Sequence, residues 1–240
     1  MNSVGHEPRN ILIVAAHPDD EVLGFGAAGA ALAAAGRSVK SCFLSGDVEV
    51  RKNRPDIERL HEQARRAQDI LGFSAPVFGP FPNIKFNTVP HLELVQFIEQ
   101  AITNTCADMV ITHHAGDPNN DHLHVARACS AAVRLHQRDP ANTRVKSLYF
   151  MEVPSATDWA LDVSVLPFRP DTYFDISETL SLKLDALACY EGVMRDAPHP
   201  RSREVIEALA RVRGAQIGCD YAEAVQTAFR LESIVPVIGE

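Results

Sequence analysis

Residues 11–15, Ile-Leu-Ile-Val-Ala, form an apolar run rich in β-branched side chains. The next six, Ala16-His17-Pro18-Asp19-Asp20-Glu21, bring a histidine and three carboxylates. The run has the length of a buried strand. Beyond the acids, Val22, Leu23 and the alanine-rich stretch 27–35 read as helix. A strand that passes through a polar turn into a helix points to an α/β chain. In open α/β sheets ligands bind just outside the carboxyl ends of the strands. His17 and Asp20 can turn towards one point there, with Asp19 within reach of it. One reading makes His17 and Asp20 metal ligands and gives Asp19 the role of a base. The other makes the acids ordinary helix-start residues, favoured by the helix dipole. Spacing alone does not separate the two.

The alternation continues along the chain. Residues 39–44 read as a second strand. The polar stretch 45–55, with Gly46, Asp47, Arg51 and Arg54, is long for a connection, and long connections are often functional. Residues 56–71 form an amphipathic pattern through Ile57, Leu60, Ala64, Ala67 and Leu71, ended by Gly72. Val77-Phe78 is a weak strand, 79–90 a proline-rich loop, 91–102 a helix and 109–112 a buried strand. Residues 146–150 read as another strand. In the last third, 178–193 and 202–217 read as helices, 221–229 as a shorter helix and 234–238 as an edge strand or tail. Arg201, Arg203, Arg211 and Arg213 read as a solvated basic face. No repeat or linker divides the chain. The expectation is one Rossmann-like α/β domain over residues 1–240, a mostly parallel sheet with helices on both faces.

A second concentration of polar residues follows the strand at 109–112. Residues 113–124 hold four of the ten histidines (His113, His114, His122 and His124) together with Asp117 and Asp121. Gly116, Pro118, Asn119 and Asn120 make this a loop, and helix resumes near Leu123. The loop also leaves a strand's carboxyl end, so it can face His17. One ligand from it would complete three protein ligands with an open position, as in a catalytic zinc site. His122 is the choice, because it sits where the helix begins. Any single histidine here could equally be a solvated loop residue.

Composition narrows the partners. A net charge of −8 speaks against a general nucleic-acid binder. Five scattered cysteines form neither a metal-spaced pair nor a disulfide framework, which fits a reducing cytoplasm. The polar start lacks a signal peptide's apolar stretch, and no segment has the ~20 apolar residues of a membrane span. Homo-oligomerisation is left open.

The chain resembles the PIG-L/LmbE-like zinc-dependent N-deacetylases, most closely the bacterial LmbE type. The carrying residues are Ala16-His17-Pro18-Asp19-Asp20-Glu21 and Asp117-Pro118-Asn119-Asn120-Asp121-His122. The similarity extends through the stretch 149–159, Asp175-Ile176, the helix with Lys183 and Tyr190, Pro198-His199-Pro200-Arg201-Ser202 and Tyr221-Ala222-Glu223-Ala224. The resemblance implies one Zn2+ per chain held by His17, Asp20 and His122, with Asp19 as general base. It implies hydrolysis of a small acyl group from the amide of an N-acylated amino sugar or related glycoside. Two positions depart from the family. Many members carry a histidine where this chain has Asn119, and a glutamate where it has Gln63. The acid or oxyanion donor must then come from elsewhere, and His199, stiffened between two prolines, is the candidate. Arg51, Asp117, Asn119 and Glu152 are expected to meet the substrate, with Trp159 in a pocket-wall loop. Two alternatives stand beside this: a zinc amidase acting on a non-sugar amide such as a thiol conjugate, and a non-enzymatic Rossmann-like binding module.

Overall fold

The computed structural model describes residues 9–46, 56–161 and 167–232. β1 (Asn10–Ala15) leads into α1 (Asp20–Ala34), then β2 (Ser38–Phe43), α2 (Ile57–Leu71), β3 (Ser74–Phe78), α3 (His91–Thr105), β4 (Met109–His113), α4 (Asn120–His136), β5 (Ser147–Met151), β6 (Thr172–Asp175), α5 (Leu180–Ala188), α6 (Arg203–Ala215) and β7 (Ala222–Arg230). The seven-stranded sheet has the order β3-β2-β1-β4-β5-β7-β6. The first five strands run parallel, and β7 pairs antiparallel with both β5 and β6. The order reverses between β1 and β4, which opens a crevice at their carboxyl ends.

The two-residue period of β1 feeds two cores. Ile11, Ile13 and Ala15 pack with α1, α2 and α5. Leu12, Val14 and Ala16 pack with α3 and α4. Burial on both faces accounts for the uninterrupted apolar run. Caps fix the ends of several helices. The side chain of Asp56 accepts from Arg59 N, and Gly72 ends α2 at φ +72°. Ser202 caps α6. Among the described residues, no helix is long and apolar enough to cross a membrane.

The C-terminal third corrects three expectations. The helix expected at 221–229 is strand β7. Its four residues Ala222–Val225 are buried between two strand edges, and that pairing overrides alanine's helix preference. β6 has no counterpart in the sequence reading. The helix expected over 178–193 is only Leu180–Ala188. Ile57, placed on the inner face of α2, is 44% exposed. Residues 234–238 lie outside the described residues.

Candidate metal centre and active site

The turn after β1 and the loop after β4 meet in the crevice between these neighbouring strands. His17, Asp20 and His122 each offer a ligand atom, all within 4.8 Å of one another. All three are buried. His17 Nε2–H donates to Asp121 Oδ2 at 2.9 Å, which leaves Nδ1 facing Asp20 Oδ2 at 3.2 Å. His122 Nδ1–H donates to Asp117 Oδ2 at 2.8 Å, and its Nε2 lies 3.2 Å from Asp20 Oδ2. Each imidazole is thus held from behind by a carboxylate, the arrangement that orients metal-binding histidines. Asp121 is itself fixed by the backbone N–H groups of Ile84 and Phe86 at 2.6 and 3.1 Å.

The electrostatics of the cluster favour a cation. Burial opposes charge on His17, yet its bonds to Asp121 and Asp20 outweigh this and raise its pKa. Burial likewise opposes charge on His122, but the Asp20 charge and the Asp117 bond push it up to about 10. Burial disfavours the Asp20 carboxylate, and the His122 charge beside it holds the group well below the usual range. His122 Nε2 is buried with no hydrogen-bond partner among the described residues. Two imidazole nitrogens, one of them unsatisfied, and one carboxylate make a three-donor set that a divalent ion fits. His113 is a different case. Burial, then the neighbouring His122 charge, depresses its pKa, and its Nε2 accepts from Ala16 N at 2.8 Å. It stacks on His122 with ring centroids 3.9 Å apart.

Asp19 does not follow Asp20 into the ligand set. Its backbone stands at φ +122°, a conformation that costs about 1–3 kcal/mol for a residue with a Cβ. The surrounding structure holds it there. Asp19 N donates to Glu21 Oε2 at 3.0 Å, and Glu21 Oε1 accepts from Tyr190 Oη at 2.7 Å and Gln68 Nε2 at 2.9 Å. Ser41 in turn donates to Gln68. Burial pushes the Glu21 carboxyl up to about 8. The Asp19 side chain meets Arg201, whose Nη1 donates to Oδ2 at 3.2 Å while its Nε donates to Ser155 Oγ at 2.6 Å.

Arg201 overturns the reading of a solvated basic face. Its side chain is 15% exposed and points into the site. Arg213 is 16% exposed and grips both oxygens of Glu152, at 2.6 and 3.0 Å. Arg203 and Arg211 keep to the surface as expected, Arg203 pairing with Glu207 one turn on and Arg211 lying over the Tyr221 ring. The carboxylate of Glu152, expected to meet a substrate hydroxyl, is thus engaged by Arg213 of α6. Asp117, expected against substrate, is buried behind His122. Asn119 accepts from Asp121 N and caps α4. Arg51 lies outside the described residues. Gln63 accepts from Glu191 N at 3.3 Å. His199 stands at the rim: its Nδ1 accepts from Arg201 N at 3.0 Å, and its ring meets Trp159 edge-on at 5.6 Å. Burial and the nearby Arg201 and Arg195 charges lower its pKa.

Comparison with known proteins agrees with this geometry. The PIG-L family, described as GlcNAc-PI de-N-acetylase, matches residues 12–133. The uncharacterized deacetylase YaiS of Escherichia coli K12 is 28% identical over 194 residues, covering 77% of this chain and 92% of that protein. At the level of fold alone, two solved structures superpose with equal TM-scores of 0.74. One is the N,N'-diacetylchitobiose deacetylase of Pyrococcus horikoshii, 16% identical, covering 92% of this chain and 84% of that one. The other is GalB, the 4-carboxy-2-hydroxymuconate hydratase of Pseudomonas putida KT2440, 23% identical, covering 94% and 98%. With both halves of the site lying in the matched segment, the chain belongs to the PIG-L deacetylase family.

Proposed function

We propose that the protein is a zinc-dependent N-deacetylase. It removes a small acyl group, acetyl above all, from the amide nitrogen of an amino sugar or related glycoside. The observation that carries this reading is the buried His17–Asp20–His122 set with the Asp19 carboxylate beside it and outside it. One Zn2+ per chain would be held by His17, Asp20 and His122. When bound, it lowers the pKa of a water to ≈ 7 and polarises the substrate carbonyl.

The chain's own groups supply the rest. Asp19 Oδ takes a proton from the attacking water as the new C–O bond forms. It returns that proton to the amide nitrogen as the C–N bond breaks, so acetate and a free amine leave. Arg201 holds the Asp19 carboxylate in place. His199 accepts Arg201 N–H on Nδ1, so its neutral ring carries the proton on Nε2. That N–H is a donor for the charge developing on the carbonyl oxygen, the task a histidine at position 119 cannot perform here. Trp159, half-exposed beside His199, offers a face for a sugar ring. The whole chain, residues 1–240, is proposed as one such domain in the cytoplasm, consistent with five cysteines that form no disulfide.

The competing reading is water addition or hydrolysis on a non-sugar substrate, which the GalB likeness keeps in view. The test is zinc-loaded protein incubated with N-acetylglucosamine glycosides, N-acyl thiol conjugates and an unsaturated dicarboxylate, with acetate and primary amine quantified. Release of both from the glycosides alone is expected. Release only from the thiol conjugates moves the substrate class, and hydration without acetate overturns the deacetylase reading.

A further inference from the structure

Helix α1 is broken inside. Phe25 has φ −148° and ψ 20°, far from helical values, and is fully buried. In an unbroken helix Ala27 N–H would donate to Leu23 C=O. Here each of these groups bonds to one end of a buried ion pair. Lys183 Nζ donates to Leu23 O at 2.7 Å, and Glu223 Oε1 accepts from Ala27 N at 3.3 Å. Lys183 Nζ and Glu223 Oε1 meet at 2.6 Å, and Glu223 Oε2 accepts from Ala28 N at 2.7 Å. Both side chains are about 6% exposed. Thr179 adds a bond to Ala27 O at 2.9 Å. Gly24, next to the break, packs closely on β5: a Cβ there would lie 2.5 Å from Met151 Sδ.

We propose that the Lys183–Glu223 pair is inserted into the helix as a splice that fixes the opening turn of α1, which bears the proposed metal ligand Asp20. The segment from Asp20 to Gly24 is held at its start by the Glu21 network and at its end by Lys183. Its orientation against the rest of α1 is set by charges that come from α5 and β7. Lys183 and Glu223 are therefore positioning residues for Asp20. A buried ion pair does little for stability compared with an apolar pair of the same volume. Retaining two charges at this break fits a requirement for geometry. The inference rests on the metal reading above but not on the identity of the substrate.

The test reads metal binding rather than turnover. Wild type and the Lys183→Met/Glu223→Leu variant, which leaves no unpaired buried charge, are freed of metal and titrated with Co2+. Affinity and the visible absorption of the bound ion are recorded, alongside the far-ultraviolet circular dichroism of the metal-free protein. The expected result is a folded variant that binds Co2+ at least about tenfold more weakly, the usual effect of losing a group that orients a ligand, with an altered absorption band. A folded variant with wild-type affinity and spectrum overturns the proposal. If the double variant does not fold, Lys183→Arg decides: it keeps the charge but cannot place a single ammonium between Leu23 O and Glu223. Weakened Co2+ binding supports the splice, and unchanged binding overturns it. A wild type that binds Co2+ but releases no acetate removes the deacetylase reading alone. One that binds no divalent ion removes both.

Discussion

His17, Asp20 and His122 at the floor of the site are at most 3% exposed, whereas Trp159 at its rim is 50% exposed. At the floor, both imidazoles have their second nitrogen tied to a buried carboxylate. At the rim, His199 is fixed by one backbone N–H, and its tryptophan neighbour stands in a loop. The floor comes from two short segments on adjacent strands. The rim comes from residues 153–161 and 195–202, brought in by the second half of the chain. A buried, cross-braced floor has one geometry, which suits the holding of an ion. An open rim has room to adjust to a substrate.

Substitutions on either side should sharpen this contrast. The largest effect is expected at the floor. His122→Ala should lose the bound metal and all activity, while His124→Ala keeps both, as elemental analysis would show. Metal retained in His122→Ala would move the third ligand to another histidine. The paired aspartates come next. Asp19→Asn should retain its metal while kcat falls by about 10²–10⁴, the usual worth of a general base. Asp20→Asn should lose metal affinity and recover part of its activity with added zinc. Reversed behaviour would exchange their roles.

At the rim, His199→Ala should lower kcat by roughly 10²–10³ with normal metal content. A near-normal kcat would return His199 to a surface turn. Trp159→Ala should raise KM severalfold and leave kcat nearly unchanged, the signature of uniform binding lost. The smallest effect concerns pH. The folded pKa of His199 lies below its unfolded value of about 6.5, so the folded state resists protonation. Stability tied to this group is fully present above that value and is lost as pH falls through it. The melting temperatures of wild type and His199→Gln should therefore diverge slightly in favour of the variant between pH 7 and pH 5. Parallel curves would show that His199 is solvated like a free imidazole.

The floor was legible in the sequence because its residues are local. Ala16–Glu21 and Asp117–His122 each follow an apolar strand, and the alternation of strand and helix puts both turns at one edge of the sheet. What escaped was which carboxylate backs which imidazole. Asp117 and Asp121 are as acidic as Asp20, and only coordinates reveal that they stand behind His122 and His17. Arg201 escaped because its partner is 182 residues away, and a surface arginine pattern hid it. β7 escaped because Ala222-Glu223-Ala224-Val225 reads as helix until two strand edges are available to it.

The place of β7 also bears on how the protein is made. This strand slots between β5 and β6 and follows both of them in the chain. Until it arrives, β5 presents an unpaired edge, a template for pairing with other nascent chains. Glu223 arrives on the same strand, so the break in α1 waits for a partner 196 positions beyond Ala27. On the proposed metal reading, ion binding would follow the arrival of β7, and a product truncated before β7 should be both sticky and poorly able to hold an ion.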